Sequence, residues 1–468
     1  MSRTKFEDFA NEIFLDIFDY LRPIDILFSF CQLNHRFEIL LTQRSMHVDL
    51  TTNVSFDDFH MLCSKYLSHY STCIHSIRLS NVETCGSINL FFNLFPQLYS
   101  QFSNLNRMIF IEPTEFEFKR ILELKYLVNL QIKFKSFYEK EISFGLIFDL
   151  PNLQFCTVFY PELYLINKFR PNPILQRLVL NSFYINDIHF LFQLYPLLQH
   201  LTIHQLRVNF QGYLPPFQQM ITSLVTLKFN CHYTIRFDYL VYLLSFFPKL
   251  KHLTIVAIGL DYFHSEKWIQ TLTNLEYLTK LILDLKGISP TFDDELSLAF
   301  LTGFWRQWQF AVDYSPDNHK FHLYTVPYHR SSFISTIHCL SVTDASQNAF
   351  VSTTDLYLKV NTPIATDQMT TQRTYPNVRA LQIYQNALVP MNYSNLFSQL
   401  NSMIQLHTLV HFELFISMPP STFLALVQLA PCLRTFKTDY EILMVNEVFR
   451  ILLFSFDVCF ILDNNKSF

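Results

Sequence analysis

FPKLKHLTI, residues Phe247 to Ile255, and YPLLQHLTI, residues Tyr195 to Ile203, carry the same phrase: a leucine-like residue, two variable positions, a second leucine-like residue, one variable position and a third apolar residue. The phrase recurs as IHSIRL from Ile74, LNRMIF from Leu105, LVNLQI from Leu127, LQFCTV from Leu153, LQRLVL from Leu175, LVTLKF from Leu224 and LTKLIL from Leu278. It returns as IHCLSV from Ile337, VRALQI from Val378, LHTLVH from Leu406 and LRTFKT from Leu433. From Leu105 to Leu278 the copies are 22 to 28 residues apart. That period fits one strand plus one return segment.

The alternating end of the hexad suits a strand with one buried face, and stretches such as FDYLVYLLSFF before Pro248 suit the return helices. One such unit cannot bury its apolar face alone, so the copies must stack into a solenoid whose strands form a parallel sheet. Over residues 74 to 440 the pattern resembles the leucine-rich-repeat family, in a degenerate form that mostly lacks the Asn after the strand. The fold class expected is therefore α/β. Residues 287 to 336 break the period: SPTFDDELSLAFLTGFWRQWQ predicts a helix, and WQFAVDY and FHLYTV around SPDNHK predict a hairpin. Trp305 and Trp308 are read as packing residues. The last two dozen residues, with ILLFSFDVCFIL, are read as a terminal cap.

Ahead of the repeats stands FANEIFLDIFDYLRPIDILFSFCQLNHRFEILL, residues Phe9 to Leu41. Its first helix carries a broad apolar face of Ile13, Phe14, Ile17, Phe18 and Leu21, with Glu12, Asp16 and Asp19 toward solvent. Pro23 ends that helix and opens the next, where Asp25 complements the dipole. Asn34 is placed to cap a third helix carrying Phe37, Leu40 and Leu41. Three helices this short cannot bury enough surface to stand alone. On Glu12, Ile13, Ile17, Phe18, Leu21, Pro23, Asp25, Asn34 and Arg36 the segment resembles an F-box; Phe9 and Ala10 stand where Leu-Pro recurs, and Phe37 where Trp is common. The other reading is a helical cap on the solenoid.

The F-box resemblance implies docking on a Skp-type adaptor, and through it on a cullin, as the substrate-recognition subunit of an SCF-type ubiquitin ligase in cytoplasm or nucleus. The adaptor-binding residues it implies are Phe9, Ala10, Ile13, Phe14, Ile17, Phe18, Leu21, Pro23 and Ile26. The alternative function is a non-catalytic repeat scaffold outside any ligase. The expected organisation is an F-box over 5–45, a solenoid over 46–286, the inserted helix and hairpin over 287–336, and a second solenoid part with its cap over 337–468.

In such a repeat the variable hexad positions face the concave side. The thirteen hexads place nine Lys or Arg, five His and no acid there, where chain-average usage predicts about three residues of each charge. Arg177, His200, Lys228, Lys251, His252, Lys280 and Arg379 are the substrate-binding candidates. Two readings remain open: a stripe for an acidic or phosphorylated protein segment, or strands that disfavour acids while long basic side chains lie over apolar neighbours.

Composition narrows the rest. A net charge of -4 argues against general nucleic-acid binding. The six glycines are too scattered for a phosphate-cradling loop. The nine cysteines form no CxxC, so reduced thiols are expected. No apolar run approaches the roughly 20 residues of a membrane span, and no secretory signal opens the chain. His200 and His204 lie along one strand, about 13 Å apart by strand rise, too far for one metal. FDDE at 292–295 reads as a solvated helix start. No nucleophile, base and orienting group come together, so neither an active site nor a cofactor is expected.

Overall fold

The structure, a computed structural model, describes residues 6, 9–51, 55–134, 144–160, 170–208, 219–288, 299–300, 303–315, 319–336, 340–341, 349–360, 374–385, 400–415, 420–439 and 459–463. It is an α/β protein rich in parallel sheet. Two compact units divide it: Met1–His252 with Leu275–Tyr277, and Leu253–Asn274 with Leu278–Phe468.

The first unit opens with three helices, α1 (Asn11–Tyr20), α2 (Pro23–Phe30) and α3 (His35–Thr42). Its strands follow in chain order and lie side by side in that order: β1 (Met46–Asp49), β2 (Ile74–Ser80), β3 (Arg107–Ile111), β4 (Asn129–Lys133), β5 (Phe155–Phe159), β6 (Arg177–Tyr184), β7 (His200–Arg207) and β8 (Thr226–Cys231). All neighbouring pairs are parallel.

The hexad explains why they stack. Its three apolar positions are buried in every copy from Leu105 through Phe229, while the variable positions within the strands β3 to β8 are half-buried or exposed. Each fully buried Leu or Ile contributes about 1.5–3 kcal/mol, so each strand is held chiefly by this inward row. Register is fixed by a repeated backbone device: the carbonyl of the hexad's second residue accepts two successive N–H groups of the next repeat. Asn106 accepts from Val128 and Asn129, Val128 from Gln154 and Phe155, Gln154 from Gln176 and Arg177, and Gln199 from Val225 and Thr226. A one-residue slip would expose every leucine. The return segments vary more, and Glu115–Ile121 carries a full capping box between Thr114 and Glu117.

The second unit takes in β9 (His252–Ile258) from Leu253 onward, and β9 neighbours β10 (Lys280–Ile288). The parallel pattern then stops. The expected hairpin forms from β11 (Phe310–Ser315) and β12 (Lys320–Thr325), but β12 pairs antiparallel with β10, so the hairpin prolongs the sheet rather than leaving it. Trp305 is buried and donates through Nε1 to Ser265 Oγ at 3.0 Å, a packing residue as expected. A second, wholly parallel sheet runs β13 (Ser332–Thr336), β15 (Asp355–Val360), β16 (Ala380–Gln385), β17 (His411–Phe415), β18 (Thr435–Asp439) and β19 (Cys459–Asp463).

The second unit departs from the expected repeats in three places. Of IHCLSV only Leu340 and Ser341 are described; they form β14 (Leu340–Ser341), which pairs antiparallel with β11 where the repeat calls for a parallel strand. The repeat near Leu406 starts three residues later, because Val410, not His407, is the residue whose carbonyl takes the paired N–H groups, of Arg434 and Thr435. Cys459–Asp463, expected to be part of a cap, is a further parallel strand. The helix expected around FDDE 292–295, and His338, lie outside the described residues. Among the described residues no helix is long and apolar enough to cross a membrane.

Candidate functional site: a helical face and a basic sheet face

Both candidate sites lie in the first unit. In the helical module, four phenylalanines make the core: Phe14 meets Phe37 at 4.8 Å between ring centroids, Phe18 meets Phe30 at 4.9 Å, and Phe30 meets Phe37 at 5.1 Å. Arg36 of α3 ties down the start of α1. It donates to Asn11 Oδ1 at 2.6 Å and to the Phe9 carbonyl, and its guanidinium lies over the Phe14 ring. Asn34 Oδ1 accepts from the Phe37 N–H at 3.0 Å, the expected cap. Asp25 in the first turn of α2 pairs with Arg22 at 2.7 Å.

The module is seated on the segment between β1 and β2. Glu38 accepts from Tyr70 Oη at 2.6 Å, Phe28 packs on Tyr66, and the Cys73 thiol donates to the Thr42 carbonyl. Burial pushes the Glu38 carboxyl up, but the hydrogen bonds from Tyr70, Gln32 and His69 outweigh it and hold its pKa below the ordinary value. The Tyr70 hydroxyl is pushed far up, by burial first and then by its bonds to Cys31 and Glu38.

Exposed apolar side chains of the module include Leu15, Leu33 and Ile39, and a set, the α1 stripe, along α1 and just past its ends. Ile13 is 43% exposed, Leu21 37% and Phe9 38%, with Ala10 exposed and Ile17 and Pro23 half-buried. Tyr20, on the same side by helical spacing, is 91% exposed and was missed. Three of the implied adaptor contacts are corrected: Phe14, Phe18 and Ile26 are buried inside the module, since its own core needs them, and present no surface. Glu12, Asp16 and Asp19 are exposed along the same helix.

The second site is the outward face of the sheet. Strand pairing puts Arg107, Asn129, Phe155, Arg177, His200 and Thr226 in one row across β3 to β8. A second row runs Ile109, Gln131, Thr157, Val179, Thr202 and Lys228. His252 continues the first row, with its Nδ1 3.5 Å from Thr226 Oγ1. Because the strands run past the hexad, a third row holds Lys133 and Phe159, one strand apart, and His204, whose ring lies 5.1 Å from that of Phe159. Lys133 lay beyond the hexad, though the continued alternation of LQIK would have shown it.

No acid occupies these outward positions from β3 to β8. The histidines register that field. His200 is held below the ordinary histidine pKa by burial, then by the charge of Arg177 and of His252; His204 by burial and then by Lys228. The Arg177 guanidinium lies 5.5 Å over the Phe155 ring and Lys133 Nζ 5.4 Å over that of Phe159.

Of the seven substrate-binding candidates, Arg177, His200, Lys228, Lys251 and His252 belong to this unit, with Lys251 exposed at the strand's entry. Lys280 and Arg379 are exposed but belong to the second unit. There the acid-free stripe fails: Asp355 lies beside Ala380, and Glu413 beside Lys437 and bonded to Gln382 Nε2. At the other end, the unanticipated strand β1 brings Asp49 to Arg78 at 3.0 Å. The basic face is thus confined to β3 through β8 and His252. Among the described residues no group of His, Cys, Asp and Glu is placed to hold a metal ion.

Compared with protein-family models and with curated proteins, the chain matches none.

Proposed function

We propose that this chain is the substrate-recognition subunit of an SCF-type ubiquitin ligase, in which the helical module is an F-box docking on a Skp-type adaptor and leucine-rich repeats receive a protein substrate. The observation that carries the reading is the α1 stripe. A module that buries four phenylalanines of its own keeps Ile13, Tyr20 and Leu21 in water; Ile13 and Tyr20 lie on one side of α1 by helical spacing, and Leu21 follows directly after its last turn. An amphipathic helix with its apolar residues outward fits a groove on a partner, and the aliphatic and aromatic residues at its centre supply most of the affinity.

The residues that match the F-box pattern divide between these two tasks. Phe18, Asn34 and Arg36 build and cap the module. Ile13 and Leu21 are left for the adaptor. The chain then contributes binding and placement, and ubiquitin transfer belongs to other subunits. The test is co-purification with a Skp-type adaptor from cells expressing the wild-type chain or Leu21→Glu. Recovery of the adaptor with the first and not the second supports the reading, and equal recovery with both overturns it.

A further inference from the structure

The segments that lead into β3 and β4 enclose a pocket that neither the helical module nor the basic sheet face uses. We propose that this pocket binds a small, neutral, flat aromatic molecule of about two fused rings that carries one hydrogen-bonding group.

An insertion creates the pocket. In YPLLQHLTI and FPKLKHLTI, and likewise before Leu153, Leu175, Val378 and Leu433, a proline stands two residues ahead of the hexad. Ahead of Leu105 that proline is Pro96, nine residues upstream. The extra chain folds into a short helix, Leu98–Gln101, and sets Leu98, Phe102 and Leu105 across from Leu127. Between them lies a pocket of about 260 Å³. Both of its walls are pinned: Asn104 Nδ2 donates to the Thr72 carbonyl at 2.7 Å, and Asn152 Nδ2 to the Lys125 carbonyl at 2.9 Å. Phe102 is held edge-on against Phe95, at 4.9 Å between ring centroids. The pocket is therefore preformed, and a ligand is spared the cost of ordering it.

The lining selects the class of ligand. Leu98, Phe102, Leu105 and Leu127 are buried and make an apolar floor, while Tyr99 and Tyr126, each 60% exposed, stand at its side. Their rings stack at 5.2 Å between centroids and 28° between planes, which offers a flat aromatic wall. Among the described residues no charged side chain lines the pocket, so nothing there offsets the cost of desolvating an ion. An apolar cavity of about 150 Å³ holds one benzene ring, and the larger volume here suits about ten non-hydrogen atoms in two fused rings. Ser103 and the two tyrosines bring hydroxyls that can donate to, or accept from, one polar group on the ligand.

A small molecule is favoured over a protein segment. The lining residues are flanked in sequence by Gln97, Ser100, Gln101, Asn104, Glu123 and Lys125, all polar and exposed. The apolar surface thus ends at the rim and offers a peptide room for one side chain, far short of the roughly 800 Å² per partner of a stable protein interface.

The test is titration calorimetry on the full chain with 2-naphthol, phenol, naphthalene-2-sulfonate and N-acetyl-leucine amide, the last standing in for a protein side chain. 2-Naphthol is expected to bind one-to-one. It should bind about tenfold or more tightly than phenol, whose single ring leaves part of the floor uncovered, and by a similar factor more tightly than the sulfonate. Ser103→Trp, which places an indole at the pocket from an exposed position, and Tyr126→Ala, which removes part of the aromatic wall, should each weaken 2-naphthol about tenfold or more without shifting the melting temperature. Tyr277→Ala removes an exposed tyrosine that precedes Leu278 as Tyr126 precedes Leu127, and should change nothing. Absence of saturable 2-naphthol binding, equal affinity for phenol or the sulfonate, tighter binding of the leucine amide, or indifference to both pocket substitutions overturns the proposal. Leu21→Glu should leave 2-naphthol binding unchanged, so loss of the adaptor alone would sink the ligase reading and leave this one standing.

Discussion

Asp284 offers the sharpest test of how the second unit is held where the parallel repeats stop. Its carboxylate is fully buried and accepts from His322 Nε2 at 2.8 Å, Tyr328 Oη at 3.2 Å and Arg330 Nε at 3.2 Å. The three donors come from β12 and from the segment that leads into β13, so one side chain on β10 gathers the turn from the antiparallel hairpin into the second sheet. Burial pushes this carboxyl up, but the hydrogen bond and charge of His322, with Lys286 and Arg330, outweigh it and hold its pKa well below the ordinary carboxylate range.

In Asp284→Ala, Tyr328 keeps a buried hydroxyl without its partner, a cost of about 1–3 kcal/mol, and His322 loses a charge-assisted bond of about 1.5–3 kcal/mol. Arg330, a third exposed, turns to solvent at little cost. The sum, about 2.5–6 kcal/mol, brackets the loss of about 3–5 kcal/mol expected when one partner of a buried ion pair is removed. At about 2–4 °C per kcal/mol for a unit of this size, the transition should fall by about 10 °C. Differential scanning calorimetry of the full chain, with hydrogen exchange followed at β10, β12 and β13, reads it. A shift under about 2 °C, or exchange unchanged in those strands, would refute the assignment of Asp284 as their anchor.

Other consequences are smaller. Arg36→Ala removes the bonds to Asn11 and the Phe9 carbonyl; hydrogen exchange should quicken at the start of α1, with about 1 kcal/mol lost. Gly259 has φ +153, and a Cβ there would stand 2.6 Å from Asp261 Oδ1, so Gly259→Ala should cost about 1–3 kcal/mol in urea melts. The half-buried histidines set a pH window. Burial first, and nearby positive charge after it, holds His200, His204 and His322 below the ordinary value, in His322 against the pull of Asp284. The unfolded chain therefore takes up protons that the folded chain does not, and stability should fall as pH drops below about 6.5. Asp284 acts at the other end: its contribution is present above the unfolded carboxylate value of about 3.9 and is lost only below it. Urea midpoints at several pH values should decline from about pH 7 to 5; a flat profile would contradict the histidine shifts.

The repeat was legible from Leu105 to Phe229 because a strand buried on one face must alternate and a stacked unit must recur. It became illegible where alternation no longer meant a repeat. IHCLSV has the right residue types, yet β14 pairs antiparallel with β11. LHTLVH shows two apolar frames three residues apart, and only the backbone bond at Val410 selects between them. The same frame error hid Glu413 and made the basic stripe seem to run the length of the chain. In the helical module, the apolar face of α1 was plain, but its division was not: the spacing that places Phe14 beside Phe18 places Ile13 beside Ile17, and only packing against Phe30 and Phe37 decides which pair turns inward. Asp284 could not be foreseen, because its partners lie 38 and 44 residues away in sequence.

The central claim is that the α1 stripe is a docking face for a Skp-type adaptor, and a direct binding titration between the purified chain and purified adaptor tests it. The wild-type chain should form a one-to-one complex by isothermal calorimetry. Ile13→Glu and Leu21→Glu, which alter exposed side chains, should each lower the affinity by about a hundredfold or more, as expected at an interface centre, without shifting the melting temperature. No measurable heat with the wild-type chain, or an affinity that both substitutions leave intact, would contradict the account.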